Sequence, residues 1–190
     1  MIWSFILLIP ICAFYLLWEF NVVKNATVMD LMKDFVDISP AVILLVFNRP
    51  WCAAFLMLCL MANEFIYDNW AIGGVLFAAA YGSASVLASS MVPFNGWYIL
   101  LAAVAMAVVA VPIAILYKGK AILKIGACSY SALALAPCVY ALCATRNPGF
   151  LLLVLGDIGL GVYGITDNKY VKAGANLLYF AGTCLVPLSL

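Results

Sequence analysis

Asp157 is the only charge between Asn147 and Ile165, in the run NPGFLLLVLGDIGLGVYGI. Glu64 stands near the end of another apolar run, RPWCAAFLMLCLMANEFIY. On insertion scales an acid at the centre of a membrane helix costs about 2.5–3.5 kcal/mol, and such residues mark functional sites. Two carboxylates can divide acid and base work between them. One donates a proton while the other steadies a cation or activates water.

The surrounding chain is built to exclude charge. Of its 190 residues 68% are hydrophobic and only 9% are charged, with mean hydropathy +1.18. A soluble domain carries roughly 25% charged residues, so the expected class is an all-α, polytopic membrane bundle forming one domain over residues 1–190. Unbroken apolar stretches favour helices over a barrel, whose strands alternate. The net charge of +1 without a basic cluster argues against nucleic acid as a partner. Histidine is absent, which removes Ser-His-Asp and Cys-His catalysis and the commonest transition-metal ligand. The seven cysteines fall inside apolar segments with no CxxC pair and read as packing residues. The apolar start from Ile2, without a basic region or a cleavage site, reads as a retained first helix.

The pattern predicts about eight transmembrane helices. They are Ile2–Phe20, Asp37–Phe47, Trp51–Tyr67, Trp70–Ser90, Gly96–Tyr117, Ala121–Ala144, Gly149–Ile165 and Lys172–Leu190. The second is short against the 17–25 residues a span needs. Before it lies an amphipathic segment with Asp30, Asp34 and Asp37 on one helical face. Ser39-Pro40 then suits a helix start. Short links make neighbouring helices antiparallel. Lys24, Lys33, Lys118, Lys120, Lys124, Lys169 and Lys172 follow the odd spans; Arg49 and Arg146 follow the even ones. This bias predicts odd links in the cytoplasm and both termini outside. The expected setting is a cell membrane, bacterial in kind.

Gly74, Ala78 and Gly82 form a small-residue ladder in the fourth span, and Gly156, Gly159, Gly161 and Gly164 thin the seventh, so close helix contacts are expected there. Pro112 and Pro137 predict kinks. A weak parallel repeat pairs Glu64, Asp68-Asn69 and Tyr81 with Asp157, Asp167-Asn168 and Tyr179.

Helical rise sets depth from the cytoplasmic end. Asp157 lies roughly 12 Å deep, Glu64 roughly 5 Å, Tyr130 about 13 Å, Tyr179 about 11 Å, Tyr81 about 16 Å and Asn176 about 6 Å. The expectation is one cavity open to the cytoplasmic leaflet, lined by Asp157, Glu64, Tyr130, Tyr179, Tyr81 and Asn176.

With these motifs the chain resembles the lysoplasmalogenase-like (YhhN-type) family of eight-helix membrane proteins. Asn63-Glu64 stands at that family's Gly-Asp, and FAAAYGSA keeps Phe77 while placing Tyr81 at the expected His and Ala84 at the expected Tyr. The sixth helix opens with Tyr130, Gly156-Asp157 fills the acidic pair of the seventh, and LYFAGT places Tyr179, Phe180 and Thr183, the last at the family's Gln. The resemblance implies hydrolysis of the vinyl ether bond of a lysophospholipid to a fatty aldehyde and a glycerophospho-base, without a cofactor. It implies Asp157 as the general acid and Glu64 as the group that stabilises the cation and activates water. A reading of another class uses the same acids as a proton relay in a small transporter or lipid-binding membrane protein.

Overall fold

The computed structural model describes residues 2–20, 22, 25, 27–28, 46, 50–118 and 120–186. The acidic segment with Asp30, Asp34 and Asp37, Ser39-Pro40, and all of the expected second span but Val46 lie outside the described residues.

Among the described residues the structure is all-helical, without strands. The helices are α1 (Ile2–Glu19), α2 (Pro50–Asp68), α3 (Trp70–Ser90), α4 (Gly96–Leu116), α5 (Ala121–Tyr130), α6 (Ala136–Thr145), α7 (Pro148–Thr166) and α8 (Lys169–Leu185). A π-helical turn, Ser131–Leu135, joins α5 to α6 as one rod.

Asparagine sets several of the helix starts. Asn69, Asn95, Asn147 and Asn168 each accept a hydrogen bond from a backbone N–H of the helix that follows. That satisfies one of the donors a helix start leaves open. Pro148 follows Asn147 at the first turn of α7, where no N–H is needed. Arg146 and Asp167 take left-handed φ of 56° and 51°, ending α6 and α7 sharply.

Four helical segments among the described residues are long and apolar enough to cross a membrane: Ala71–Ser90, Gly96–Leu116, Lys124–Thr145 and Pro148–Thr166. They correspond to four of the eight expected spans.

Helix α6 packs against α3, α4 and α7; α8 lies along α7, α1 along α8, and α2 along α3. Side-chain contacts bring the ends of α1, α4 and α7 and the starts of α3 and α8 to one end of the bundle. Lys172 of α8 meets Glu19 of α1, Gly161 of α7 faces Ile113 of α4, and Phe77 of α3 stacks on Tyr179 of α8. The described helix ends that adjoin the links after the odd expected spans thus share that end. Trp51 and Trp97, both strongly exposed, mark the other end, as membrane-interface aromatics do. On α4 the exposed face is a continuous apolar stripe through Val104, Val108, Val111 and Ile115, with Ala102 its buried residue. Such a face suits lipid tails rather than water.

The glycines divide by position. A Cβ at Gly149 would stand 2.6 Å from Val186 N, at Gly156 3.1 Å from Ala175 O, at Gly159 2.8 Å from Ala175 Cβ, and at Gly182 2.9 Å from Gly149 O. Helices α7 and α8 therefore touch backbone to backbone. Gly164 and Gly82 face open space, and Gly74 has only ordinary contact with Tyr130, so the expected ladder in α3 is not a close crossing. At Pro137 the helix answers with the π turn just before it. Proline offers no N–H to residue 133 and crowds its carbonyl, and the wider turn accommodates both.

Candidate functional site

Asp157 projects from α7 one residue after Gly156, where α7 presses on α8. The Tyr130 hydroxyl, from the last residue of α5, donates to Asp157 Oδ1 at 3.2 Å. Asp157 Oδ2 is buried and has no hydrogen-bond partner among the described residues. The carboxyl is thus held at one oxygen and open at the other.

Tyr81 reaches the same place from α3. It is fully buried, and its surroundings include Asp157, Tyr130, Tyr179 and Cys59. Phe77, one turn earlier on α3, stacks on both Tyr81 (5.9 Å) and Tyr179 (5.3 Å, edge-to-face). Each such pair contributes about 0.5–1.5 kcal/mol beyond its buried area and fixes ring direction. The structure therefore brings Tyr130 and Tyr81 to Asp157, as their estimated depths predict.

Tyr179 and Asn176 are used differently. The Tyr179 hydroxyl donates to the Cys59 carbonyl of α2 at 3.1 Å, tying α8 to α2 beside the site. Asn176 is buried and donates through Nδ2 to the Tyr15 hydroxyl of α1 at 2.6 Å. Depth placed Asn176 at a suitable level, but its azimuth on α8 turns it toward α1.

Asn176 belongs to a polar ladder whose other members the sequence reading did not single out. Tyr15 donates to Glu19 Oε2 at 3.1 Å. Lys172 Nζ binds both Glu19 oxygens, at 3.0 and 3.1 Å. The Glu19 side chain is only 7% exposed and that of Lys172 18%, so this is a sheltered ion pair near one end of the bundle. Glu19 lies inside the first expected span, and Lys172 opens the last.

The backbone of Glu64 lies in α2; its side chain is outside the described residues. Cys59 and Ala62, wholly buried, mark the inward face of α2. Asn69 and Asn168 cap α3 and α8, and Tyr81 and Tyr179 both stack on Phe77.

Comparison with family models, curated proteins and solved structures returned no match. The functional reading therefore rests on this geometry and on residue chemistry.

Proposed function

We propose that the chain is a multi-pass membrane hydrolase of the lysoplasmalogenase kind, cleaving the vinyl ether bond of a lysophospholipid. The observation that carries the reading is the Asp157 carboxyl, held at Oδ1 by Tyr130 and unpartnered at Oδ2 inside an apolar bundle. Tyr130 supplies its own hydrogen to Oδ1, so Oδ2 is the oxygen from which a proton can be transferred.

The reaction uses that proton at carbon. Asp157 protonates the vinyl carbon remote from oxygen, and the other carbon becomes an oxocarbenium ion. Water adds to that carbon and loses a proton back to the carboxylate, giving a hemiacetal. The hemiacetal breaks its bond to the glycerol oxygen, releasing fatty aldehyde and glycerophospho-base. The sum is one vinyl ether plus one water to one aldehyde plus one alcohol, with the acid regenerated. Two carboxyl groups divide similar work in glycoside hydrolysis. In this reading Glu64 is the second carboxylate, and Tyr81 and Tyr130 border the reacting atoms. The apolar walls take the alkyl chain and exclude bulk water.

The eight-span topology with both termini outside belongs to the same proposal. It is supported by the Lys-rich links after the odd spans and by their gathering at one end of the bundle.

The deciding experiment follows aldehyde release from a lysoplasmalogen by purified protein and by Asp157→Asn. Turnover in the wild type, with none in a variant that keeps its melting temperature, is the expected result. Full activity in Asp157→Asn, or no aldehyde from either, removes the proposal. Lipid or solute uptake into vesicles driven by a pH gradient would assign the acids to transport instead.

A further inference from the structure

A tyrosine hydroxyl carries one hydrogen and two lone pairs. Tyr130 commits its hydrogen to Asp157 Oδ1 at 3.2 Å. Its oxygen can then only accept, and inside an apolar bundle an acceptor without a donor is costly. The group that faces it is the Tyr81 hydroxyl of α3, a side-chain hydrogen-bond partner of Tyr130. This contact is looser than the bond from Tyr130 to Asp157.

The packing places Tyr81 there by itself. Helix α3 packs against α5 and against the π turn that follows it. The Tyr130 ring lies on α3, since a Cβ at Gly74 would meet its Cδ2 at 4.0 Å. Gly74 and Tyr81 are two helical turns apart on one face of α3. Asp157 and Tyr130 both lie within electrostatic reach of the Tyr81 hydroxyl. Phe77 stacks on the Tyr81 ring at 5.9 Å and 51° and holds its direction. The order of the chain follows from the hydrogens. Tyr130 has none left to give, so Tyr81 donates to Tyr130 and Tyr130 to Asp157.

We propose that Tyr81 is a positioning residue for Asp157 that acts through Tyr130: its hydroxyl donates to the Tyr130 oxygen and so fixes the Tyr130 hydrogen on Oδ1. When Oδ2 gives its proton to the vinyl carbon, the bonding pair stays behind and negative charge spreads to Oδ1. Hydrogen bonds to a charged acceptor are shorter and roughly twice as strong, so the bond from Tyr130 tightens. A hydroxyl whose hydrogen is drawn away becomes a better acceptor, and the looser Tyr81 contact tightens in turn. Support that grows as charge develops raises kcat rather than substrate affinity. The effect on rate rests on the proposed reaction; the chain of hydroxyls does not.

The test measures aldehyde release by wild type, Tyr81→Phe, Tyr130→Phe and the double variant. Phenylalanine keeps each ring, so the stack on Phe77 stays and the fold is retained. Tyr81→Phe should lower kcat about three- to tenfold at unchanged KM. In the Tyr130→Phe background the same change should alter kcat by less than about twofold, because the link is already cut. An equal loss in both backgrounds, or a loss confined to KM, would show Tyr81 acting on the substrate itself and overturn the proposal. Infrared spectroscopy without substrate gives a second readout. The Asp157 carboxyl band, identified by its disappearance in Asp157→Asn, should shift in Tyr81→Phe. It should stand at one frequency in Tyr130→Phe and in the double variant. A band that Tyr81→Phe does not move overturns the proposal whatever the kinetics. A shifted band in a protein that releases no aldehyde sustains the chain of hydroxyls while the hydrolase reading fails.

Discussion

The contact of α7 with α8 can be tested by moving one methyl across it. Carbon atoms pack at about 3.5–4.0 Å, whereas a Cβ at Gly159 would stand 2.8 Å from Ala175 Cβ. Gly159→Ala therefore demands a separation of about 0.7–1.2 Å. Overpacking of this kind costs about 1–3 kcal/mol, or roughly 2–10 °C in melting temperature. Asp157 lies two residues away, and a displacement near 1 Å can cost about 100-fold in rate. Gly164→Ala, five residues on and facing open space, is the control. It should leave melting level or raise it slightly, since alanine favours a helix by about 1 kcal/mol over glycine. The decisive variant pairs Gly159→Ala with Ala175→Gly, transferring the methyl from one helix to the other. Thermal melts and aldehyde release in one detergent give the double-mutant cycle, with an expected coupling of about 1–3 kcal/mol in favour of the pair. A double variant no better than the sum of its parts would show that Gly159 and Ala175 do not meet.

Further outcomes follow from the site. Tyr130→Phe removes the donor to Asp157 Oδ1; initial rates should fall about 10- to 100-fold, since hydrogen bonds of this class are worth about 1.5–3 kcal/mol. Breaking the sheltered pair with Glu19→Gln or Lys172→Met should lower stability by about 3–5 kcal/mol in chemical denaturation, and the two changes together by less than their sum. Glu64→Gln should match Asp157→Asn in abolishing turnover if Glu64 is the second carboxylate; a near wild-type rate would remove it from the reaction.

Depth was legible in the sequence, and direction was not. Counting residues from helix ends set Tyr130, Tyr81 and Asp157 at one level, and the structure joins them. The same arithmetic set Asn176 and Tyr179 nearby, yet Asn176 bonds to Tyr15 and Tyr179 to the Cys59 carbonyl. Apolar residues surround a membrane helix on every side, so polarity does not mark its inward face as it does in a soluble protein. Asparagines at helix starts were readable because capping is a local matter. The Glu19–Lys172 pair joins residues 153 positions apart, and no local pattern announces it.

The π turn between α5 and α6 has a consequence for reading this rod. Its hydrogen bonds close over one more residue than an α-turn's, so it works as a single-residue insertion. Each residue of an α-helix advances by about 100°, and residues before the turn are out of phase with those after it. No single helical wheel describes positions 121–145. Tyr130 owes its aim at Asp157 partly to that offset. Shortening the segment by one residue would swing Tyr130 about a quarter turn around the rod while leaving every other part of its sequence intact.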